Sequence, residues 1–196
     1  MNKRDRVGIA LGGGTPDRIP AAFWFHFVGE KAAGQPAIDA HIDYFKQCGC
    51  DMMKIMSDSY FDYAASMEIK KPSDWYKLEP LGTSHPFYAG QIERAAAIAK
   101  AVKKDALVYY TVFAPFSSIR SGYGDALVMR MLKEDPDAVC HALDVIIEDT
   151  QMFMKALFGA GVDGIYYSVQ GGEKNRLSVA DYRRFITPSD KAALDY

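Results

Sequence analysis

Five polar side chains follow apolar runs closely enough to gather at one end of a sheet. His26 closes IPAAFWFHF (Ile19–Phe27), Ser57 and Asp58 follow CDMMKIM (Cys50–Met56), and Ser168 and Gln170 end the stretch that opens with GIYYSV (Gly164–Val169). In parallel α/β folds ligands bind beyond the carboxyl ends of strands, so these residues would face one rim. Asp58 stands out: with Met56, Tyr60 and Phe61 beside it, its carboxylate can be desolvated and tuned for proton transfer or for holding a cation. The same position reads equally as a helix N-cap. His26 either points into a site or is a hydrogen-bonded core histidine. Lys174, after Gly171-Gly172-Glu173, could supply positive charge to an anionic group from a loop whose glycines allow close approach.

Other groups carry less chemistry. Cys48-Gly49-Cys50 could share a metal between two thiolates, but a structural zinc site takes four ligands and no second Cys or His pair accompanies it. Buried or helix-end thiols are the expectation there. Gly12-Gly13-Gly14 has no strand before it and no Lys-Ser/Thr after it, so it reads as a flexible lead-in and not as a phosphate cradle. His41, His85 and His141 are expected to be structural, and Asp62 to be a solvated carboxylate.

The elements that would position these groups alternate. Four apolar runs read as strands: Ile19–Phe27, Cys50–Met56, Leu107–Phe113 and Gly164–Val169. Helical spacing covers Ala37–Gln47 after Pro36, Gly90–Asp105, Asp125–Lys133, and a long helix opened by Asp135-Pro136 that runs to about Phe158. Ser178-x-x-Asp181 resembles a capping box. The Ser57 to Tyr88 stretch is irregular, with a helix expected only around Trp75. The pattern is that of parallel βαβ units in one domain over residues 1–196.

Composition narrows the function classes. The chain has 196 residues, 49% of them hydrophobic, with 23 Lys and Arg against 25 Asp and Glu. A globular protein follows, with no basic field for nucleic acid or for an anionic membrane. Three cysteines fit reduced thiols in a cytoplasmic protein and not a disulfide framework. No apolar run approaches the ~20 residues of a membrane helix.

Several short motifs, in order, resemble the uroporphyrinogen decarboxylase superfamily. They are Thr15-Pro16-Asp17-Arg18-Ile19-Pro20 leading to Phe23-Trp24, Met56-Ser57-Asp58, Ala114-Pro115-Phe116, and Gly161-Val162-Asp163-Gly164 with Ser168-Val169-Gln170-Gly171-Gly172. The resemblance implies a (β/α)8 TIM barrel and a cofactor-free carboxy-lyase acting on a tetrapyrrole or related small carboxylate. It implies that Asp58 contacts pyrrole N–H groups and stabilises a protonated, cationic intermediate, and that Ser168 and Gln170 orient substrate. Tyr123, like Ser121, is a nearby candidate for the tyrosine that family members place after Ala-Pro. Methyltransferases of the same fold work with zinc and a corrinoid protein, and they form the alternative reading.

Two departures from that pattern matter. Decarboxylases carry an Arg-Gln-Ala-Gly-Arg run after the first strand. Here His26-Phe27-Val28-Gly29-Glu30 stands in its place, so His26 occupies the position of a carboxylate-gripping arginine. Each lost charge-assisted contact would weaken polycarboxylate binding by roughly 1.5–3 kcal/mol. A full barrel also takes ~250 residues. The expectation is therefore a half barrel of about four βα units, truncated in its C-terminal half. It would be completed by more chain or by a second copy in a homodimer, or else be an inactive fragment.

Overall fold

A computed structural model describes residues 1–63, 67–173 and 175–195. Strands β1 (Met52–Ile55), β2 (Leu107–Phe113) and β3 (Gly164–Ser168) form one sheet in the order β1-β2-β3. Met52 pairs with Leu107 and Ile55 with Tyr110 in parallel register. The N–H of Asp163 donates to Val108 O at 2.8 Å and that of Ala114 to Ser168 O at 3.0 Å. Both chains advance together between these bonds, so β3 is parallel to β2. The helices are α1 (Lys3–Leu11), α2 (Gly34–Cys48), α3 (Pro86–Val102), α4 (Pro115–Tyr123), α5 (Asp125–Glu134) and α6 (Pro136–Gly159). After β3 a short turn of helix at Val179–Asp181 passes through a π-helical turn (Tyr182–Ile186) into α7 (Thr187–Leu194).

The helix starts follow their capping chemistry. Asp135 Oδ1 accepts the N–H of Ala138 at 3.1 Å, and Pro136 fills the first position of α6, where its missing N–H has no intrahelical partner to lose. Ser178 Oγ accepts from the N–H of Asp181 at 3.0 Å. Two helices escaped the sequence reading. In α1, Asn2 caps the N–H of Asp5 at 2.8 Å. Pro115, just beyond the Leu107–Phe113 run, is the first residue of α4.

One expected strand is absent. Residues 19–27 form no strand ladder. Asp51 N–H donates to Ala21 O at 2.8 Å, while the N–H groups of Ala21 and Phe27 donate to the carboxylates of Asp51 (2.9 Å) and Asp58 (3.0 Å). Side-chain oxygens at either end of β1 thus take the bonds that strand carbonyls would otherwise accept. The side chains of Ile19, Phe23 and Phe25 remain 86%, 62% and 58% exposed, so apolar composition here did not mean a buried strand. Three strands, not four, are present among the described residues.

The chain divides into two compact units, and strands β2 and β3 each begin in the first and end in the second. The first comprises Met1–Ser59, Ala89–Thr111 and Lys155–Tyr166; the second comprises Tyr60–Tyr88, Val112–Met154 and Tyr167–Tyr196. In the first, alternation along the strands turns Ile55 and Tyr110 toward α3, where the Tyr110 hydroxyl meets Gln91 Oε1 at 3.2 Å. Lys54 and its register partner Tyr109 take the opposite face. Gly164 lies under the Tyr109 ring, and a Cβ there would fall 2.7 Å from Tyr109 Cδ1.

In the second unit the irregular stretch is anchored by a buried carboxylate. Asp149 on α6 accepts from the Tyr63 hydroxyl at 2.7 Å and from the N–H groups of Leu81 and Gly82 at 2.9 Å each. Trp75 sits, as expected, in a helical turn (Pro72–Lys77) and is fully buried, with its Nε1 donating to Met131 Sδ at 3.1 Å. No helix among the described residues is long and apolar enough to cross a membrane.

Candidate active site

The loop after β1 concentrates the features expected of a functional site. Asp58 is 2% exposed. Its Oδ1 lies 2.8 Å from His26 Nδ1, and its Oδ2 accepts the N–H of Phe27 at 3.0 Å. With the carboxylate ionised, Nδ1 carries the proton of that bond. The alternative role of Asp58 as a helix cap is overturned, since its oxygens take donors 31 and 32 residues back along the chain. His26 keeps a side chain 57% exposed, so the pair has one buried and one open member.

Two further residues fix this loop. Arg94 on α3, itself buried, donates through Nη1 to Met56 O at 3.0 Å and Asp58 O at 3.1 Å, and through Nη2 to Ala32 O at 2.7 Å. His41 on α2 accepts the N–H of Met56 on Nε2 at 3.2 Å while Nδ1 contacts Ala37 O at 2.7 Å. The Nδ1–H tautomer satisfies both bonds, and burial lowers the pKa of the ring and keeps it neutral. His41 is structural, as expected, but what it supports is the candidate site.

The loop carries two local anomalies. Ser59 adopts φ 69°, the left-handed region that a residue with a Cβ rarely occupies. Ser57 Oγ is buried with no hydrogen-bond partner among the described residues. Strain and an unsatisfied buried hydroxyl both destabilise the folded state, and both concentrate where a ligand is to be met.

Ser168 and Gln170 belong to the second unit. Ser168 O accepts from Ala114 N–H, and the Ser117 hydroxyl brackets Gln170, accepting from its N–H at 2.8 Å and donating to its carbonyl at 3.4 Å. Beyond them Gly171 adopts φ +94°, and the space a Cβ would need is filled by the Arg120 guanidinium. Arg120 in turn pairs with Asp125 at 2.5 Å, and Arg176 reaches the same Asp125 oxygen at 3.3 Å.

Tyr123 is half-buried, its ring 4.9 Å from that of Trp75 and its hydroxyl pKa raised by burial. Lys174 lies outside the described residues. Asp62, expected to be solvated, is exposed and accepts from Ser121 Oγ at 2.7 Å.

The uroporphyrinogen decarboxylase (URO-D) family model matches residues 64–196. The chain belongs to that family. The matched span holds β2, β3, Ser117, Ser168 and Gln170, whereas His26 and Asp58 precede it. A methyltransferase from Methanosarcina mazei has a similar fold, with a TM-score of 0.71 at 14% sequence identity. The likeness covers 96% of this chain, which spans 65% of that structure's length. No curated protein sequence matches.

Proposed function

We propose that this is a uroporphyrinogen decarboxylase-like carboxy-lyase, built on a (β/α)8 barrel of which the chain supplies about the first four βα units. Residues 21–27 would stand in the place of the first strand. The observation that carries the reading is the buried Asp58 carboxylate, held on one oxygen by His26 and on the other by the Phe27 N–H. Such a group is a fixed negative charge that need not reorganise as positive charge develops opposite it.

The substrate class is a tetrapyrrole or a related carboxylate on an electron-rich ring, and the family's chemistry supplies the step. Protonation of the ring makes it cationic. The C–C bond to the carboxylate then breaks, CO2 leaves, and the bonding pair neutralises the ring as an exocyclic methylene; a proton added to that methylene gives the methyl group, and loss of the ring proton restores the aromatic ring. Asp58 lowers the energy of the cation, while His26 aims it. No cofactor takes part in this reading.

The test is Asp58→Asn in the full-length protein, with turnover of uroporphyrinogen III followed by chromatography. Turnover should fall by about 10²-fold or more, while the melting temperature moves little, because Asn still accepts from the Phe27 N–H. Undiminished turnover would remove Asp58 from the mechanism.

Methyl transfer is the second reading, supported by the fold shared with the methanosarcinal methyltransferase and by the absent arginines. It would engage zinc and a corrinoid protein. Among the described residues no three His, Cys, Asp or Glu groups converge, and the His26–Asp58 pair supplies two at most. These residues do not fit a zinc site. Demethylation of methylcobalamin by a thiol, dependent on the protein, would favour this reading over decarboxylation.

A further inference from the structure

Lys54 occupies the middle of β1 on the face away from α3, and its ammonium is wedged between two aromatic rings. Nζ lies 3.6 Å from the Trp24 ring centroid and 3.4 Å from that of Tyr166. The rings themselves stand 6.0 Å apart at 45°, an open V with the ammonium in its mouth. Both rings are 45% exposed while Lys54 is only 8% exposed, so the cation is covered by side chains that themselves face outward. No carboxylate pairs with it among the described residues. Every other buried cation in this unit has anionic or carbonyl partners: Arg6 has Asp17 and Asp51, and Arg94 has three carbonyls.

A buried ammonium without an anion is unfavourable in the folded state unless something else offsets it. Burial pulls the Lys54 pKa down to about 8, so at neutral pH the charged form still dominates. Two ring faces can satisfy two of its three N–H directions electrostatically. The third is left for an acceptor that the described residues do not supply. Lys54 is also only four positions before Asp58 on the same strand and loop.

We propose that Lys54 is an anion-binding residue of the substrate site. It would receive a carboxylate of a conjugated ring substrate whose apolar body lies against the exposed faces of Trp24 and Tyr166. This deepens the carboxy-lyase reading and rests on it for the identity of the substrate. It also supplies a positive charge in a site where His26 stands at an arginine position.

The experiment uses the full-length protein labelled with ¹³Cε-lysine, the Lys54 cross-peak being assigned from Lys54→Arg. The probe is pyromellitate, an aromatic tetracarboxylate, with its uncharged tetraamide as the control. The Lys54 peak should shift saturably with pyromellitate and not with the tetraamide. By calorimetry, Lys54→Met should weaken pyromellitate binding by roughly tenfold or more, with Lys54→Arg close to wild type. A silent Lys54 peak, an equal response to the tetraamide, or a small drift shared by all lysines would each overturn the proposal and leave Lys54 a packed cation only. Should Lys54→Met fail to fold, the wild-type titration decides alone. Binding is read without turnover, so a protein that holds pyromellitate through Lys54 but does not decarboxylate sinks the activity reading and keeps this one.

Discussion

The guanidinium of Arg94 donates to the main-chain oxygen of Asp58 at 3.1 Å, so helix α3 holds the backbone beneath the carboxylate proposed to act in catalysis. The same nitrogen holds Met56 O, and Nη2 holds Ala32 O. One planar fork therefore fixes three carbonyls from two separate loops. Arg94→Met would strand those carbonyls away from water and should destabilise the protein by about 2–4 kcal/mol. Arg94→Lys keeps the charge but not the fork and should recover only part of the loss. Urea midpoints of the three proteins check this; equal midpoints would mean that water replaces the guanidinium without penalty.

The part of the site legible in the sequence was the part carried by local pattern. Leu107–Phe113 reads as a strand because β-branched and aromatic residues run up to a proline, and it is one, end to end. Asp58 reads as exceptional because apolar neighbours surround it. His26 reads as facing the same rim, but its bond to Asp58 did not show, because the two are 32 residues apart and nothing in spacing pairs them. Arg94 was invisible for a different reason. In an alanine-rich amphipathic helix a lone arginine looks like a solvated-face residue, and only the fold shows three carbonyls converging on it. Residues 19–27 misled because apolar composition signals burial, whereas a strand also needs carbonyl partners, and here the carboxylates of Asp51 and Asp58 took their place.

Acid should loosen the first unit through its N-terminal charge network. Arg6 grips Asp17 bidentately at 2.6 and 2.9 Å and reaches Asp51 at 2.6 Å, and Arg18 grips Asp51 from the other side. The Arg6 hydrogen bond holds Asp17 down to about 2, against an ordinary 3.8. Burial opposes ionisation of Asp51, but the Ala21 N–H and the two arginines outweigh it and keep that carboxyl low as well. A carboxyl with a depressed folded pKa binds fewer protons folded than unfolded, so its contribution is present above the ordinary value. It is lost as the pH falls toward the folded one. The melting temperature should therefore drop between about pH 4 and 2, and Asp17→Asn should show a shallower drop. Asp17 is 42% exposed, so added salt should narrow the neutral-pH gap between the two proteins. Parallel acid slopes would show that the network does not control this transition.

Gly164 and Tyr109 should behave as one unit in mutagenesis. A Cβ on Gly164 would meet the Tyr109 ring edge, and the ring is fixed on the sheet face it shares with Lys54. Gly164→Ala should destabilise by about 1–3 kcal/mol through overpacking. In a Tyr109→Ala background the same change should be neutral to within about 0.5 kcal/mol, because the obstructing ring is gone. A double-mutant cycle from denaturant midpoints reads the coupling directly. Additive effects would mean that the glycine is required for its backbone and not for the ring.

Asp149 should be the most sensitive polar position of the second unit. It is 1% exposed and takes three donors from the irregular stretch between β1 and α3: the Tyr63 hydroxyl and the N–H groups of Leu81 and Gly82. These are charge-assisted bonds in a low-dielectric interior, so removing the acceptor strands three donors at once. Asp149→Ala should cost about 3 kcal/mol or more, and Tyr63→Phe about 1–1.5 kcal/mol, since the phenylalanine leaves two donors on the carboxylate. Burial, aided by the Asp149 charge, raises the Tyr63 pKa, so the phenol stays a donor throughout the physiological range and the bond should not titrate there. In the Asp149→Ala background Tyr63→Phe should add little, because the hydroxyl it removes has already lost its acceptor. If instead the two losses sum, Tyr63 contributes through its ring packing on Phe87, whose centroid lies 6.1 Å away, and the hydrogen bond adds little net stability.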